Sequence, residues 1–318
     1  MPRTLISLGS INADFQVRLD QAPGSQETLL AHGLHRLSGG KAANTAYLGA
    51  LFGHRSVLVG RVGADDLADQ ALEPLRKAGV CLNAVTHAPG ASTAVSMIAV
   101  PGTGKKQIIL ANEANDRWDA MARERLIDAI GDAGLPALLV LDYEIPAAVV
   151  RLAIEAAYEH GLPVVLDPSF PERLEHGLMS KVRALTPNAE EAAALLGMAV
   201  GTDQEAARAA DALRELGAAI GVVKLPDGGC VLACDDGVFR VPSTGRSAVD
   251  ATGAGDAFTG TFAIALLEGL GPLEAALWGS AAANLAVATF GSQPAYQGRE
   301  PVKALAEQLR RAVIRLHE

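Results

Sequence analysis

Short apolar runs alternate with longer amphipathic stretches along most of the chain. Leu5 to Gly9, Val57 to Val62, Leu138 to Leu141, Val164 to Leu166 and Ile220 to Leu225 read as strands buried on both faces. Between them, Ala-rich stretches such as Ala147 to His160 and Gln204 to Leu216 carry apolar residues at helical spacing. Strands alternating with helices need crossover connections, so the pattern predicts an α/β fold with a three-layer, mostly parallel sheet and helices on both faces. Two regions break the rhythm. Residues 11–37 and 92–111 lack a crossover helix, and the second reads as a β-hairpin. Joined as a small β lid at the carboxyl ends of the main strands, they would cover the place where open α/β sheets bind ligands. No repeat or Pro/Gly/Ser linker divides the 318 residues, so a single domain with a lid is the expectation.

Composition narrows the function. Hydrophobic residues make up 49% and charged residues 20%, the balance of a globular protein. The formal net charge of -9, with no basic patch, speaks against nucleic acid and anionic lipid as partners. Met1 to Gly9 run into a strand pattern and no apolar run reaches the roughly 18 residues of a membrane span, so a cytoplasmic location is expected. Cys81, Cys230 and Cys234 are too few and too uneven for a disulfide framework, and the last two read as buried strand thiols.

The most informative stretch is Asp250-Ala251-Thr252-Gly253-Ala254-Gly255-Asp256-Ala257-Phe258, followed by an apolar helical run from Thr259 to Leu270. Its glycines turn the backbone tightly and present N–H groups at a helix start, an anion cradle beside a carboxylate able to take a hydroxyl proton. An Asp near a helix N-terminus is also favoured by the helix dipole alone. Gly39-Gly40-Lys41-Ala42-Ala43-Asn44 opens a second helix, to about Phe52, with Lys41 and Asn44 on one face. Gly102-Thr103-Gly104-Lys105-Lys106 looks like a phosphate loop but lacks the required spacing and the Ser/Thr after Lys. The first strand is followed by Gly-Ser-Ile-Asn, without a dinucleotide fingerprint.

Together the two glycine segments resemble the signatures of the ribokinase-like (PfkB) family of sugar and nucleoside kinases, and the likeness extends over nearly the whole chain, closest to the ribokinase branch. It implies ATP-dependent phosphorylation of a hydroxyl on a small sugar, ribose or ribose-like, with a nucleoside or another hexose or keto-sugar acid as the alternative acceptor. It further implies Asp256 as catalytic base, with the amides of Gly253, Ala254 and Gly255 facing the phosphoryl group. Asn12 and Asp14 in Gly9-Ser10-Ile11-Asn12-Ala13-Asp14, together with Gly40, Lys41, Asn44, Ser96, Ile98 and Glu144, would bind the sugar. On the ATP side it implies Asn188, Lys224, Gly229, Gly253 and Gly255, with Ser280 and Asn284 as an adenine wall. Asn188-x-x-Glu191 would organise magnesium through water. Gly291 and Ala295, with the main chain near Asp250 and Thr252, would hold an activating potassium ion. Members of this branch pair their lids, which implies a homodimer. Pro226, where the family commonly has Gly, changes the nucleotide-side turn, and Gly60 to Asp66 reads as structural. A non-catalytic sugar sensor on the same fold is expected to have lost the base or the glycines, and this chain keeps both.

Overall fold

The computed structural model describes residues 3–24, 28–101, 106–245 and 248–317. From the amino terminus, β1 (Thr4–Leu8) is followed by β2 (Asn12–Leu19) and β3 (His32–Gly39), and α1 (Lys41–Leu51) leads back into β4 (Arg55–Val62). After α2 (Asp66–Lys77) and β5 (Cys81–His87) comes a second excursion, β6 (Ala94–Pro101) and β7 (Gln107–Ala111). The alternation resumes with α3 (Ala120–Gly131), β8 (Ala137–Asp142), α4 (Ala147–Glu159), β9 (Val164–Asp167), β10 (Ala184–Leu185), α5 (Ala189–Leu196), α6 (Asp203–Glu215) and β11 (Ile220–Lys224). Then follow β12 (Cys230–Cys234), β13 (Gly237–Val241), α7 (Ala254–Leu267), α8 (Pro272–Ala286), α9 (Arg299–Arg310) and β14 (Ile314–His317).

The main sheet has ten strands in the order β14-β13-β12-β11-β10-β9-β8-β1-β4-β5. From β11 to β5 every pairing is parallel, while β11 to β14 form an antiparallel flank. Alternate residues of one strand serve opposite cores. Leu139 and Leu141 pack with α3 and α4, whereas Leu138 and Val140 join α1, α7 and α8. Both faces being dry is why these strands are continuously apolar. The expected three-layer α/β fold is therefore present. No described helix is long and apolar enough to cross a membrane.

The two excursions meet as a four-stranded sheet, β3-β2-β6-β7, with β2 parallel to β6 and the outer pairs antiparallel. Register aligns Asp14, Ser96 and Leu110 in one row and Gln16, Ile98 and Ile108 in the next. Both rows face the main sheet's carboxyl edge and line a cleft, except that Gln16 is fully buried beneath it. The lid runs slightly past the expected bounds, since β3 continues to Gly39.

Candidate active site

The C-terminal ends of β1, β8, β9 and β10 converge below the lid, and the cleft there encloses about 540 Å³. Its lining runs from Asn12 and Asp14 beneath the lid, past Lys41 and Asp256, to Ala283, Asn284 and Val287 at the far end.

Gly253 caps α7 at φ 73°, a left-handed turn that glycine adopts without strain. A Cβ there would sit 2.6 Å from the Tyr296 hydroxyl, so the site excludes other residues on steric grounds as well. Because the turn starts the helix at Ala254, five residues before the apolar run read from the sequence, Asp256 falls in the first turn. First-turn N–H groups have no intrahelical acceptor, which leaves those of Gly255 and Asp256 for a ligand. The Ala254 N–H, expected to face the phosphoryl group, points back to the Ala251 carbonyl at 3.4 Å.

The Asp256 carboxylate is held from both sides. Lys41 Nζ donates to Oδ1 at 3.2 Å and Asn44 Nδ2 to Oδ2 at 2.8 Å. Lys41 opens α1 immediately after Gly40, whose φ of 94° packs the turn against the Ser10 carbonyl. The spacing of three along α1 therefore serves one purpose, to bring Lys41 and Asn44 onto the same carboxylate. Lys41 also lies 3.5 Å from Asp167, whose other oxygen accepts from Lys224 at 2.8 Å. Burial works to lower Lys41, but Asp167 and Asp256 outweigh it and hold the ammonium well above the usual lysine value. Burial likewise pushes Asp167 up, and Lys224 and Lys41 reverse it, leaving the carboxyl below its ordinary value.

Under the lid, Asn12 donates to Ser96 Oγ at 3.0 Å and accepts from buried Asn115 at 2.9 Å. Burial raises Asp14 to about 7, and its Oδ1 has no hydrogen-bond partner among the described residues. Gly39 lies against that carboxylate so closely that a Cβ would sit 2.0 Å from it. Glu144 lines the cleft, accepts from Ser10 Oγ at 2.6 Å and is also raised by burial. A row of polar groups with unused acceptors, facing the apolar Ile98, Ile108 and Leu110, suits a small polyol.

On the opposite side, Asn188 caps α5 in a reciprocal box with Glu191. Glu191 Oε2 accepts from the Asn188 N–H, while its other oxygen takes no hydrogen bond among the described residues. With Asp167 Oδ1, which takes no hydrogen bond among the described residues although Lys41 lies 3.5 Å from it, this is a sparse oxygen donor set that fits a magnesium ion keeping most of its waters. No tighter cluster of His, Cys, Asp and Glu exists among the described residues. Lys224 and Gly229 flank the turn Leu225 to Gly228, in which Pro226 is accommodated by Leu225 and Gly229 pairing at 2.9 Å. Asn284 buttresses that turn by donating to the Gly228 carbonyl at 2.8 Å and lines the cleft.

One further expectation changes. Ser280 does not reach the cleft: it is fully buried one helical turn below Asn284 and donates to Cys230 Sγ at 3.6 Å. The Gly291 N–H donates to Asp250 at 2.9 Å, and Ala295 is buried in a short 3-10 turn. Asp250 already accepts from Thr252 N and Oγ1 on one oxygen and from Gly291 N and Gln16 Nε2 on the other. Four donors fill the lone-pair sites of that carboxylate, so a monovalent cation in this loop would have to rest on main-chain carbonyls rather than on the Asp250 side chain. The glycine-lysine turn before Lys106 lies outside the described residues.

Asp167, Gln16 and Lys106 were not foreseen. Asp167 ends an apolar strand, the position where ligands collect, and that signal was available. Gln16 continues the inward polar series Asn12, Asp14 along β2. Arg61, by contrast, is structural as expected: only 1% exposed, it pairs with Asp119 at 3.0 Å.

A carboxylate held beside an N–H cradle, between a polyol-like pocket and a cleft with lysines and a sparse magnesium set, is the constitution of a sugar-hydroxyl kinase. The comparisons agree. Residues 2–297 match the pfkB family carbohydrate kinase profile, and the chain belongs to that family. Ribokinase of Arabidopsis thaliana is 30% identical over 95% of this chain and 80% of its own length, and ribokinase of Haemophilus influenzae is 29% identical over 94% and 97%. The structure of Arabidopsis thaliana ribokinase complexed with ribose and ATP superposes with a TM-score of 0.82 at 29% identity, covering 96% of this chain and 99% of that one. The reading of an ATP-dependent carbohydrate kinase thus stands.

Proposed function

We propose that this protein transfers the γ-phosphoryl group of ATP to a hydroxyl of ribose or a ribose-like sugar, with Asp256 as base. The observation that carries the reading is the Asp256 carboxylate, fixed by Lys41 and Asn44 in the first turn of α7 and open to the cleft. Asn12, Asp14 and Glu144 accept from and donate to the sugar hydroxyls, Ser96 and Ile98 close over it, and Gly39 and Gly40 allow its approach. The acceptor hydroxyl gives its proton to Asp256 as its oxygen bonds to the γ-phosphorus and the bond to the β–γ bridging oxygen breaks, releasing ADP. The N–H groups of Gly253 and Gly255 face the charge that develops, while Lys224, Gly229 and Asn284 hold the nucleotide side. Magnesium, held through water at Asn188 and Glu191, would neutralise phosphate charge when bound. An activating potassium ion would be held by main-chain carbonyls near Asp250, Thr252, Gly291 and Ala295, since the Asp250 carboxylate itself is taken up by protein donors.

The outer lid face carries Phe15, Met97 and Ile109 in one row, with Met97 47% and Ile109 65% exposed, and Leu34 beside them 62% exposed. An apolar sheet face of this kind supports a homodimer through the lid, in the cytoplasm, where sugar and ATP meet. An ADP-release assay over a panel of pentoses, hexoses, keto-sugar acids and nucleosides tests the acceptor. Preference for ribose or a close analogue is expected, and preference for a nucleoside or an acid would replace the acceptor while keeping the chemistry.

A further inference from the structure

Among the described residues three lysines line the cleft, Lys41, Lys106 and Lys224. Two are neutralised by carboxylates of the protein: Lys41 by Asp167 and Asp256, and Lys224 by Asp167. Lys106 has no carboxylate within ion-pair distance among the described residues. Its Nζ donates to one neutral atom, the Ala251 carbonyl, at 3.2 Å. An ammonium has three N–H donors, so two of those of half-buried Lys106 remain free to face the cleft. Burial lowers Lys106 from its ordinary value, and the nearby Asp256 and Asp250 only partly oppose that. An anion that entered the cleft would meet these donors.

Lys106 immediately precedes β7, in which Gln107 pairs with Ala99 of β6, toward the lid's free end. From there its side chain crosses the cleft to the main body, and the carbonyl it reaches is also the one that accepts from Ala254 N at the start of the α7 cradle. Gln16, from β2, makes a parallel crossing to Asp250 at 2.6 Å. Two lid strands thus dock on consecutive residues of the loop that leads to Asp256. The anion that passes this point during the proposed reaction is the phosphoryl group on its way from ATP to the sugar.

Resting on the kinase reading above, we propose that Lys106 is a catalytic residue supplied by the lid, whose ammonium contacts the phosphoryl oxygens during transfer. The bonds made and broken are those already given, and Lys106 keeps its proton throughout. The lid then completes the charge complement of the site only when closed, which ties transfer to acceptor occupancy. The same unspent donors could instead serve an acid group on the acceptor, and the experiment separates the two sources.

Lys106→Met, Lys106→Arg and Lys106→Ala are compared with the wild-type chain in single-turnover ADP formation, with ribose and with a keto-sugar acid, and sugar binding is measured by calorimetry. Lys106→Met is expected to slow transfer to ribose about a hundredfold, the scale of one lost charge-stabilising donor, with ribose affinity changed less than about threefold. Lys106→Arg should keep much of the rate, and ethylammonium added to Lys106→Ala should restore part of it, which a packing role would not allow. Unchanged transfer to ribose in Lys106→Met, loss confined to affinity or to the acid acceptor, or absence of rescue in a folded Lys106→Ala would overturn the proposal. A wild-type chain that phosphorylates neither acceptor would instead sink the kinase reading itself.

Discussion

Replacing Asp256 by Asn is the most direct perturbation of the proposed chemistry, because it changes one proton-accepting oxygen and almost no volume. In the structure Oδ1 takes a hydrogen bond from Lys41 and Oδ2 one from Asn44. An Asn side chain can keep its oxygen toward one of these donors but turns an NH2 toward the other. Lys41 would still have Asp167 at 3.5 Å, so the local fold should persist. What disappears is the acceptor for the hydroxyl proton. General-base catalysis is typically worth about 10²–10⁴-fold, or about 3–5 kcal/mol of barrier. We therefore expect kcat in an ADP-release assay at saturating ATP and ribose to fall at least a hundredfold, while ribose affinity by calorimetry changes by less than about fivefold. A variant turning over within about fivefold of wild type would refute the assignment of the base. A large loss of affinity with preserved kcat would move Asp256 to sugar binding instead.

Other perturbations probe the pocket and the lid. Asp14, raised by burial to about 7, binds more protons folded than unfolded between about pH 4 and 7, so its contribution to stability falls as pH rises through that window. Thermal melts of wild type and Asp14→Asn should differ by up to about 4 kcal/mol more at pH 8 than at pH 4, with the variant gaining, and parallel pH curves would contradict the burial argument. Gly39→Ala would place a Cβ 2.0 Å from the Asp14 carboxylate, so ribose affinity should drop at least about tenfold with an unchanged circular dichroism spectrum. Unaltered binding would mean that Asp14 does not contact the sugar. Gln16→Leu removes a buried bond to the charged Asp250, worth about 1.5–3 kcal/mol, and should raise the ribose KM about tenfold or more by loosening the lid. A KM equal to wild type would leave the Gln16 crossing without a role in closure.

Much of this architecture was legible because the cause was local. Continuous apolar strands announce a sheet covered on both faces, and the missing crossover helices in 11–37 and 92–111 announce a second sheet. The glycines of the two signature segments were readable because positive φ angles at Gly40 and Gly253 leave few alternatives. What escaped was decided by pairings between distant segments. Gln16 and Lys106 become meaningful only once the lid is laid across the loop at Asp250 and Ala251. The exclusion of Ser280 depends on which face of α8 meets Cys230, and the uniformly small, apolar residues around it give no periodic signal. Asn284, one turn further along, shares that composition and does line the cleft.

The bond from Lys41 to Asp256 spans 215 residues, and the one from Gln16 to Asp250 spans 234. A nascent chain that has emerged only as far as the second excursion already carries the side chains proposed to grip a sugar, Glu144 excepted, but none of the helix that would act on it. Productive engagement of the ligand must therefore wait until the last third of the polypeptide has docked. Because both ends of the molecule then share the load, added ribose should raise the unfolding midpoint of the entire chain in a single step rather than protect one half.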